Sequence, residues 1–448
     1  MALVFAALII SAAATPPNIP PGVPDLSPTW PATWLTKDSS YLYTCNWRGL
    51  VDPSTVLNWS ILSLDWSASK WGPTGWAASK PMDNEERLFA DAVNLVAHAR
   101  NASSARAWVY RNSCKALPWF KTVREKLESP AHSRWFLSYG KTPPNAGAYF
   151  SPPCDPNYDP PLCSTLYHDS TLSPDYTKLP NCAVDGDCSV QVPGFPFGDG
   201  NCSAPACDTG AVPVGEYVFD MTAWNVSVNG QTLGQWWINE YLFGELGAMN
   251  PNITGFYFDD KVTGTNGCSE LDSHQVADLG LSPADLLAQA DAYAHNFKEV
   301  YTTVVSKGAY TEQQFSVERP PRATGGAAAC AASLRTICGA PPPPSLLVVF
   351  DDDTPLLSMA FFLLARGPYS YIGHQWRDGC AGVPGSMPPP VPAPGWFPEL
   401  FDVDHGEPVE QCHETAPNSG VFSRAWTHAA VNIDCNAPGL GPAIALHA

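Results

Sequence analysis

Short apolar runs recur along the chain, and most of them are followed by a stretch in which apolar residues recur at helical spacing. Eight runs are rich in β-branched and aromatic residues, which is typical of β-strands. They are ILSLD (61–65), AWVYRN (107–112), WFLSYG (135–140), EYVFD (216–220), GFYFDD (255–260), YTEQQFS (310–316), LLVVFDDD (346–353) and YSYIGHQW (369–376). The pattern therefore predicts about eight strands separated by helices.

The helical stretches have clear ends. The clearest one covers residues 282–308, with Ser282 and Pro283 at its N-cap and first turn and Gly308 just past its end. Strands that alternate with helices predict a parallel sheet, and a count near eight favours a closed (β/α)8 TIM barrel over an open doubly wound sheet. The glycine-rich motifs of nucleotide-binding sheets are absent from the sequence.

Two regions depart from the alternation. Between residues 141 and 214, Pro, Gly, Cys and Asn dominate, which predicts a long insertion held by disulfides. From residue 396 onward the pattern indicates a small β addition packed on the barrel. The predicted organisation is a leader at 1–14, a barrel over 15–395 with the Cys-rich insertion 141–214, and the C-terminal addition at 396–448.

The first residues favour export. An apolar core runs from Leu3 to Ile10, and small residues at Ala12 to Ala14 offer a cleavage site, as in a secretory signal peptide. The alternative is an irregular apolar start to a cytosolic protein. No later apolar stretch is long enough to span a bilayer, so we expect the mature chain in the secretory lumen or outside the cell, with no membrane span.

Cysteines and sequons agree with export. The chain has 14 cysteines, and six of them lie between residues 154 and 207, which predicts disulfides. Zinc is the alternative, but C-x-x-C pairs are absent from the sequence, so we expect no metal. The five N-x-S/T sequons, which predict a glycoprotein, begin at Asn58, Asn101, Asn201, Asn225 and Asn252.

Charge and aromatic content narrow the partners. A net charge of −19 with only 24 basic residues argues against nucleic acid or an anionic membrane surface. The 16 tryptophans exceed what a core usually requires, and aromatic faces suit the C–H faces of sugar rings. Core packing is the alternative for each of them. Carbohydrate is therefore the expected partner.

The active site of a barrel lies at the carboxyl ends of its strands, so polar residues that end apolar runs are candidates. Within GFYFDD, alternation places Asp259 on the same face as Gly255 and Tyr257, while the two phenylalanines face the helices. We therefore expect Asp259 to be the catalytic nucleophile or base. Asp220 or Asp260 is expected to be the acid.

The remaining candidates are expected to position a substrate. They are Asp65, Arg111, Tyr257, His168, His374 and Trp376. Paired carboxylates among aromatic residues are what glycoside hydrolysis requires, because one group protonates the leaving oxygen and the other attacks or activates water. For each aspartate the alternative is a helix cap or an ion pair.

Several of these segments resemble the TIM-barrel glycoside hydrolases, in particular uncharacterised glycosyl hydrolase-like secreted proteins of unicellular algae. The segments are ILSLDWS, VYRN, GEYVFD, GFYFDD, RGPYSYIGHQW, HGEPVEQCHET and GVFSRAWTHAAVNIDC. In many such barrels a strand of the form G-hydrophobic-x-x-D ends on a catalytic aspartate, and Gly255 to Asp259 fits this form. The chain differs in having no strand-ending glutamate, because Glu312 begins its predicted strand and Glu318 lies beyond it.

The resemblance and the pattern together imply a secreted glycoside hydrolase that uses paired carboxylates at the barrel mouth and needs no cofactor. The alternative is a non-catalytic carbohydrate-binding or cell-surface glycoprotein on the same scaffold.

Overall fold

The structure is a computed structural model, and it describes residues 19–23, 26–46, 49–70, 84–101, 104–138, 154–155, 162–163, 166–169, 216–269, 271–378 and 390–447. The chain divides into two units. The pocket unit consists of Tyr41–Glu312 and Gln375–Pro394. The C-terminal unit consists of Met1–Ser40, Gln313–His374 and Gly395–Ala448.

Strands and helices are numbered along the chain. Strands β1 to β12 are Ser40–Asn46, Ile61–Leu64, Arg106–Asn112, Lys115–Ala116, Cys154–Asp155, Leu162–Cys163, His168–Asp169, Glu216–Val218, Ser227–Val228, Gln231–Thr232, Ile253–Asp259 and Tyr310–Thr311. Strands β13 to β19 are Ser316–Glu318, Ser345–Val349, Tyr369–Asp378, His413–Glu414, Val421–Ala425, Ala429–Asp434 and Pro442–Leu446. Helices α1 to α9 are Ser67–Lys70, Asn84–His98, Lys121–Leu127, Leu233–Trp236, Ser273–Leu279, Pro283–Ser306, Gly326–Cys338, Pro355–Ala365 and Pro398–Phe401.

The largest sheet has eight strands in the order β12-β11-β3-β2-β1-β15-β14-β13, and its two end strands are not paired with each other. The prediction of a closed TIM barrel is therefore wrong: the sheet is open. The chain passes from β12 to β13 through one 3-10 turn, Glu312–Gln314. Parallel neighbours need a crossover of about a dozen residues, so a connection this short cannot pair the two strands side by side.

The strands of the sheet also differ from those expected. Ser40–Asn46, which the pattern did not predict, forms β1, and the predicted run 310–316 divides into β12 and β13. The run EYVFD instead forms β8 in a three-stranded sheet with β4 and β7, where both pairings are antiparallel. Phe136, from the run WFLSYG, forms an isolated bridge with Phe219. Two predicted barrel strands therefore lie outside the large sheet.

In the pocket unit, β11 separates two packed faces. Phe256 and Phe258 lie on one face, and Phe258 contacts Phe297 of α6 and Trp237. The opposite face carries Gly255, where an added Cβ would lie 2.4 Å from the indole nitrogen of Trp108. A glycine is therefore needed at this position, because the Trp108 ring lies against the backbone of β11.

The C-terminal unit contains the four-stranded antiparallel sheet β16-β17-β18-β19. Helix α8 lies against this sheet, and its residues from Leu357 to Ala365 are all buried. Two disulfides, Cys330–Cys435 and Cys338–Cys412, join α7 to the segments around the sheet. The residues from 413 to 446 therefore form an antiparallel sheet that packs on a helix of its own unit.

Three disulfides have both cysteines among the described residues, and the third joins Cys114 to Cys268 in the pocket unit. Their presence agrees with the predicted disulfide-bonded chain. No helix in the part of the chain that the structure describes is long and apolar enough to cross a membrane. The predicted leader at 1–14 and most of the insertion 141–214 lie outside the described residues.

Candidate functional site

A pocket of about 350 Å³ opens within the pocket unit, where β1, β2, β3 and β11 reach their carboxyl ends. Its acidic lining residues are Asp65, Glu216, Asp259 and Asp260, and its basic ones are Lys115 and Arg377. Its aromatic lining residues are Tyr43, Trp66, Tyr110 and Tyr257. Parallel strands deliver these groups together because their carboxyl ends share one edge of the sheet.

The register of β3 and β11 explains which side chains reach the pocket. Tyr257 pairs with Tyr110, and Asp259 pairs with Asn112, so these four side chains form two adjacent rows on one face of the sheet. All four line the pocket. The alternation predicted for GFYFDD places Asp259 as expected.

The Asp259 carboxylate accepts hydrogen bonds at both of its oxygens. The hydroxyl of Tyr110 donates to one oxygen at 3.0 Å, and the backbone N–H of Asp260 donates to the other at 3.0 Å. Asn112 in turn donates to the Tyr110 hydroxyl at 2.8 Å, which orients that hydroxyl toward Asp259. The carboxylate is therefore held in one orientation at the pocket wall.

Asp65 follows β2 and is held in a similar way. The hydroxyl of Tyr43 donates to one carboxylate oxygen at 3.1 Å, and the backbone N–H of Ser67 donates to the other at 2.9 Å. Only 5% of Asp65 is exposed. The two aspartates thus share one design, in which a tyrosine hydroxyl and a backbone N–H support each carboxylate.

The phenols that support these carboxylates remain protonated. Burial raises the pKa of Tyr43, and the Asp65 carboxylate raises it further. Burial likewise raises the pKa of Tyr110, with Asp259 as the next cause. The same two effects act on the pKa of Tyr257, where Asp259 is again the next cause. Each hydroxyl is therefore a neutral donor at any physiological pH.

Asp260 has a different environment. Its backbone adopts the left-handed conformation with φ of 58°, which an aspartate tolerates better than most residues. Its carboxylate accepts hydrogen bonds from Asn112 at 2.6 Å and Ser269 at 3.1 Å, and it lies 3.7 Å from the Lys115 amine. Lys115 lies closer to Glu216, at 2.9 Å. Asp260 therefore connects Asn112, Ser269 and Lys115 at the wall of the pocket.

Glu312 is the strand-ending glutamate that the sequence reading missed. It directly follows β12, and continuing the β11–β12 register by one residue places it at the level of Tyr257. Its carboxylate accepts hydrogen bonds from the hydroxyls of Tyr41, at 2.5 Å, and Ser63, at 3.2 Å. Burial raises the pKa of Glu312 to about 7. The sequence contains a signal for this strand end: Gln313 and Gln314 are too polar to continue a buried strand, so the strand is expected to end before them.

Two predicted site residues lie elsewhere in the pocket unit. Arg111 alternates to the other face of β3, where it is buried, lies 3.2 Å from Glu85 and donates to the carbonyl of Tyr241. Asp220 caps a 3-10 helix, Met221–Ala223, and accepts hydrogen bonds from Thr222 and Gln289. The hydrogen bonds from Thr222 and Gln289 hold Asp220 at its own 3-10 helix, although Glu216 of the same segment lines the pocket. Neither residue lines the pocket.

Two more of the predicted positioning residues, His374 and Trp376, do not line the pocket. His374 is buried in the C-terminal unit, 3.6 Å from Asp352, and burial lowers its pKa. Trp376 donates to the carbonyl of Val391. The backbone of His168 pairs with Tyr217, and its side chain lies outside the described residues. Of the predicted set, Asp65, Tyr257, Asp259 and Asp260 come together at one site.

The one metal-like cluster in the described chain does not fit a metal. It combines Asp260 with Cys114 and Cys268. The two cysteines are joined in a disulfide, so neither supplies a thiolate ligand.

Neither family models nor curated proteins identify the site. No family model matches the chain, and no curated protein is significantly similar to it. A function for this pocket therefore has to be argued from its own geometry.

Proposed function

We propose that this protein is a glycoside hydrolase whose reaction takes place in the pocket. The observation that carries the proposal is the pair Asp65 and Asp259, which line one pocket and are each held by a tyrosine hydroxyl and a backbone N–H. Hydrolysis of a glycosidic bond needs two carboxyl groups that act on the same anomeric centre.

The sheet spacing suits such a pair. Asp65 follows β2 and Asp259 ends β11, and β3 lies between these strands. Two strand spacings amount to about 9.5 Å, and the register places Asp259 two residues further along the strands than Asp65, so the backbones are too far apart for a retaining pair unless the side chains lean together. Inverting hydrolases separate their carboxyl groups by roughly 6.5 to 9.5 Å, which leaves room for a water molecule. We therefore assign the base that activates water to Asp259, and we favour inversion.

The acid in this proposal is Asp65. Asp220 caps a helix outside the pocket, and Asp260 is engaged by Asn112, Ser269 and Lys115. Asp65 remains as the pocket carboxyl that lies two strands from Asp259. Secretion belongs to the same proposal, because the cysteine content, the sequons and the apolar leader all favour it.

The proposal is tested by screening the purified chain against polysaccharides and aryl glycosides, beside Asp259→Asn. We expect Asp259→Asn to lose hydrolysis by about a thousandfold or more, because the water loses its base. Asp220→Asn is a matched control, since it also changes a strand-following aspartate but keeps an N-cap side chain. Full activity in Asp259→Asn contradicts the assignment.

One observation favours a second function, carbohydrate binding without catalysis. Both Asp65 and Asp259 accept hydrogen bonds from a phenol and a backbone N–H, an arrangement that favours the ionised form of each. A site whose carboxylates are both ionised binds sugar hydroxyls but lacks a proton donor. Saturable sugar binding with no turnover across the screen selects this function.

A further inference from the structure

Trp66 lines the pocket and is held in place by a second tryptophan. It follows Asp65, and its ring stacks on Trp119 with a centroid distance of 5.2 Å and an interplanar angle of 20°. Tyr110 contacts it at a centroid distance of 6.1 Å. Trp119 and Tyr110 are buried, whereas Trp66 is half-buried and lines the pocket. The indole is therefore a rigid surface with part of its area at the pocket.

The backbone of this residue is fixed as well. The Trp66 carbonyl accepts a hydrogen bond from the Asn84 side chain at 3.1 Å, and Asn84 is fully buried at the start of α2. The neighbouring Asp65 is held by Tyr43 and Ser67. A ring that binds against Trp66 would therefore lie next to a carboxylate whose position is set.

The charges of the described lining residues restrict what that ring can carry. Four carboxylates face two cations, and Lys115 already lies 2.9 Å from Glu216. Arg377 is the remaining cation, and it is exposed. A negatively charged substituent on a bound sugar would be repelled at short range by the Asp259 carboxylate, the base of the proposed reaction.

We propose that Trp66 is the stacking surface for a pyranose ring, and that this ring carries no carboxylate or sulfate group. The inference rests on the proposed glycosidase function and names the substrate class of the same pocket. An indole offers an apolar face to the C–H groups of a sugar, and the surrounding carboxylates accept hydrogen bonds from the hydroxyl groups of the sugar. Trp66 is a specificity residue in this scheme, and the two aspartates act on the bond.

The test uses the purified full chain with nitrophenyl glycosides of both anomers, each neutral sugar matched with its uronic acid. We expect kcat/KM to favour the neutral member by about tenfold or more. Trp66→Ala should raise KM by about tenfold or more with a smaller change in kcat, because truncation of a supported tryptophan removes binding area. Trp66→Phe keeps an aromatic face and should recover most of that loss.

Trp396→Ala is the matched control. Trp396 is also half-buried and also stacks on an aromatic ring, Phe401, at 4.4 Å, but it belongs to the C-terminal unit. We expect its KM to equal that of the wild type. Thermal unfolding of each variant confirms that the compared chains are folded.

Binding separates this inference from the proposed function. Neutral and acidic oligosaccharides of matched length are titrated into Asp259→Asn, with and without Trp66→Ala. If neutral sugar binds and Trp66→Ala abolishes this binding, but the wild type cleaves no glycoside, the ring site is supported and the hydrolase is contradicted. If the chain cleaves glycosides but prefers acidic sugars, and Arg377→Gln loses that preference, the ring inference is overturned and the hydrolase is supported. Failure to bind or cleave either class overturns both.

Discussion

The two units bury charges of opposite sign, and they satisfy these charges with different partners. In the pocket unit, Asp65 and Asp259 are carboxylates held by phenols and backbone N–H groups beside a pocket. In the C-terminal unit, Arg366 is fully buried and donates to the carbonyls of Thr33 and Trp34, at 2.8 and 3.0 Å. Its guanidinium also lies 4.6 Å from the centre of the Phe362 ring.

Arg424 repeats this pattern. It donates to the carbonyls of Leu363, Leu364 and Arg366, at 3.1 to 3.2 Å for the first two and 2.7 Å for the last. These carbonyls end α8, so the arginine satisfies backbone groups that a helix leaves unpaired. Burial lowers the pKa of Arg366 to about 9, and the neighbouring Arg424 adds to that effect.

The difference teaches how to separate structural from functional buried charge. The arginine donors end on carbonyl oxygens of the chain itself, whereas the pocket carboxylates keep oxygen surface at a cavity. By this criterion Arg111 belongs with the structural group, although it shares a strand with Tyr110 and Asn112. Four substitutions test the distinction, from the largest expected effect to the smallest.

Asp65→Asn should have the largest effect on activity. We expect kcat to fall by about a thousandfold, equivalent to about 4 kcal/mol in the activation free energy, because the leaving oxygen loses its acid. Asparagine keeps the shape of the side chain, so the free energy of unfolding should change little. The check is kcat on an activated aryl glycoside, whose good leaving group should restore part of the rate. A kcat unchanged on all substrates removes Asp65 from the mechanism.

Arg366→Met should have the largest effect on stability. Methionine fills the volume but leaves the carbonyls of Thr33 and Trp34 without their donor, so we expect a loss of about 3 kcal/mol in the free energy of unfolding. Urea unfolding followed by tryptophan fluorescence measures this loss. Arg335→Met is the control, because Arg335 pairs with Glu414 at the surface and should matter far less. Equal losses in both variants would contradict the structural role of Arg366.

Sequence patterns predicted the faces and ends of single strands better than the sheet that the strands form. The run GFYFDD carries its information locally: alternation assigns faces, and two phenylalanines identify the buried side. Asp65 is equally local, because it ends the short apolar run ILSL. These positions depend on a few neighbouring residues, and the structure places them where the pattern indicates.

The errors arise where tertiary contacts decide. Strand β1 is buried along its whole length, yet it contains Ser40, Thr44 and Asn46, so it does not look like an apolar run. EYVFD looks like a barrel strand, but its antiparallel partners β4 and β7 take it out of the large sheet. The disulfide partners likewise depend on the fold, because spacing alone does not define which cysteines meet.

Glu312→Gln should change how stability depends on pH. The folded pKa of Glu312 is about 7 against an ordinary value of 4.5, so the folded chain retains a proton that the unfolded chain releases between these values. The contribution of Glu312 to stability is therefore complete below pH 4.5 and is lost as pH rises through about 7. The Gln variant does not titrate. Its free energy of unfolding relative to that of the wild type should therefore increase by up to about 3 kcal/mol between pH 4.5 and about 7.

The measurement is urea unfolding of both chains at several pH values between these limits. Asp91→Asn is a useful companion, because burial also raises the pKa of Asp91 to about 7, and Asp91 does not line the pocket. Subtracting variant from wild type at each pH removes the contributions of His374 and His405, whose lowered pKa values act in the opposite direction. Parallel curves for wild type and Glu312→Gln would show that Glu312 does not titrate in this range.

Asp220→Ala should have the smallest effect and should affect stability alone. The Asp220 carboxylate accepts from the backbone N–H and hydroxyl of Thr222 and from Gln289, so its removal uncaps a 3-10 helix. We expect a loss of about 1 kcal/mol in the free energy of unfolding and an unchanged kcat/KM. Asp220→Asn keeps the cap and should recover most of that loss. A fall in kcat/KM for both variants, with stability intact, would move Asp220 from the structural group to the functional one and would leave Asp65 without its role as the acid.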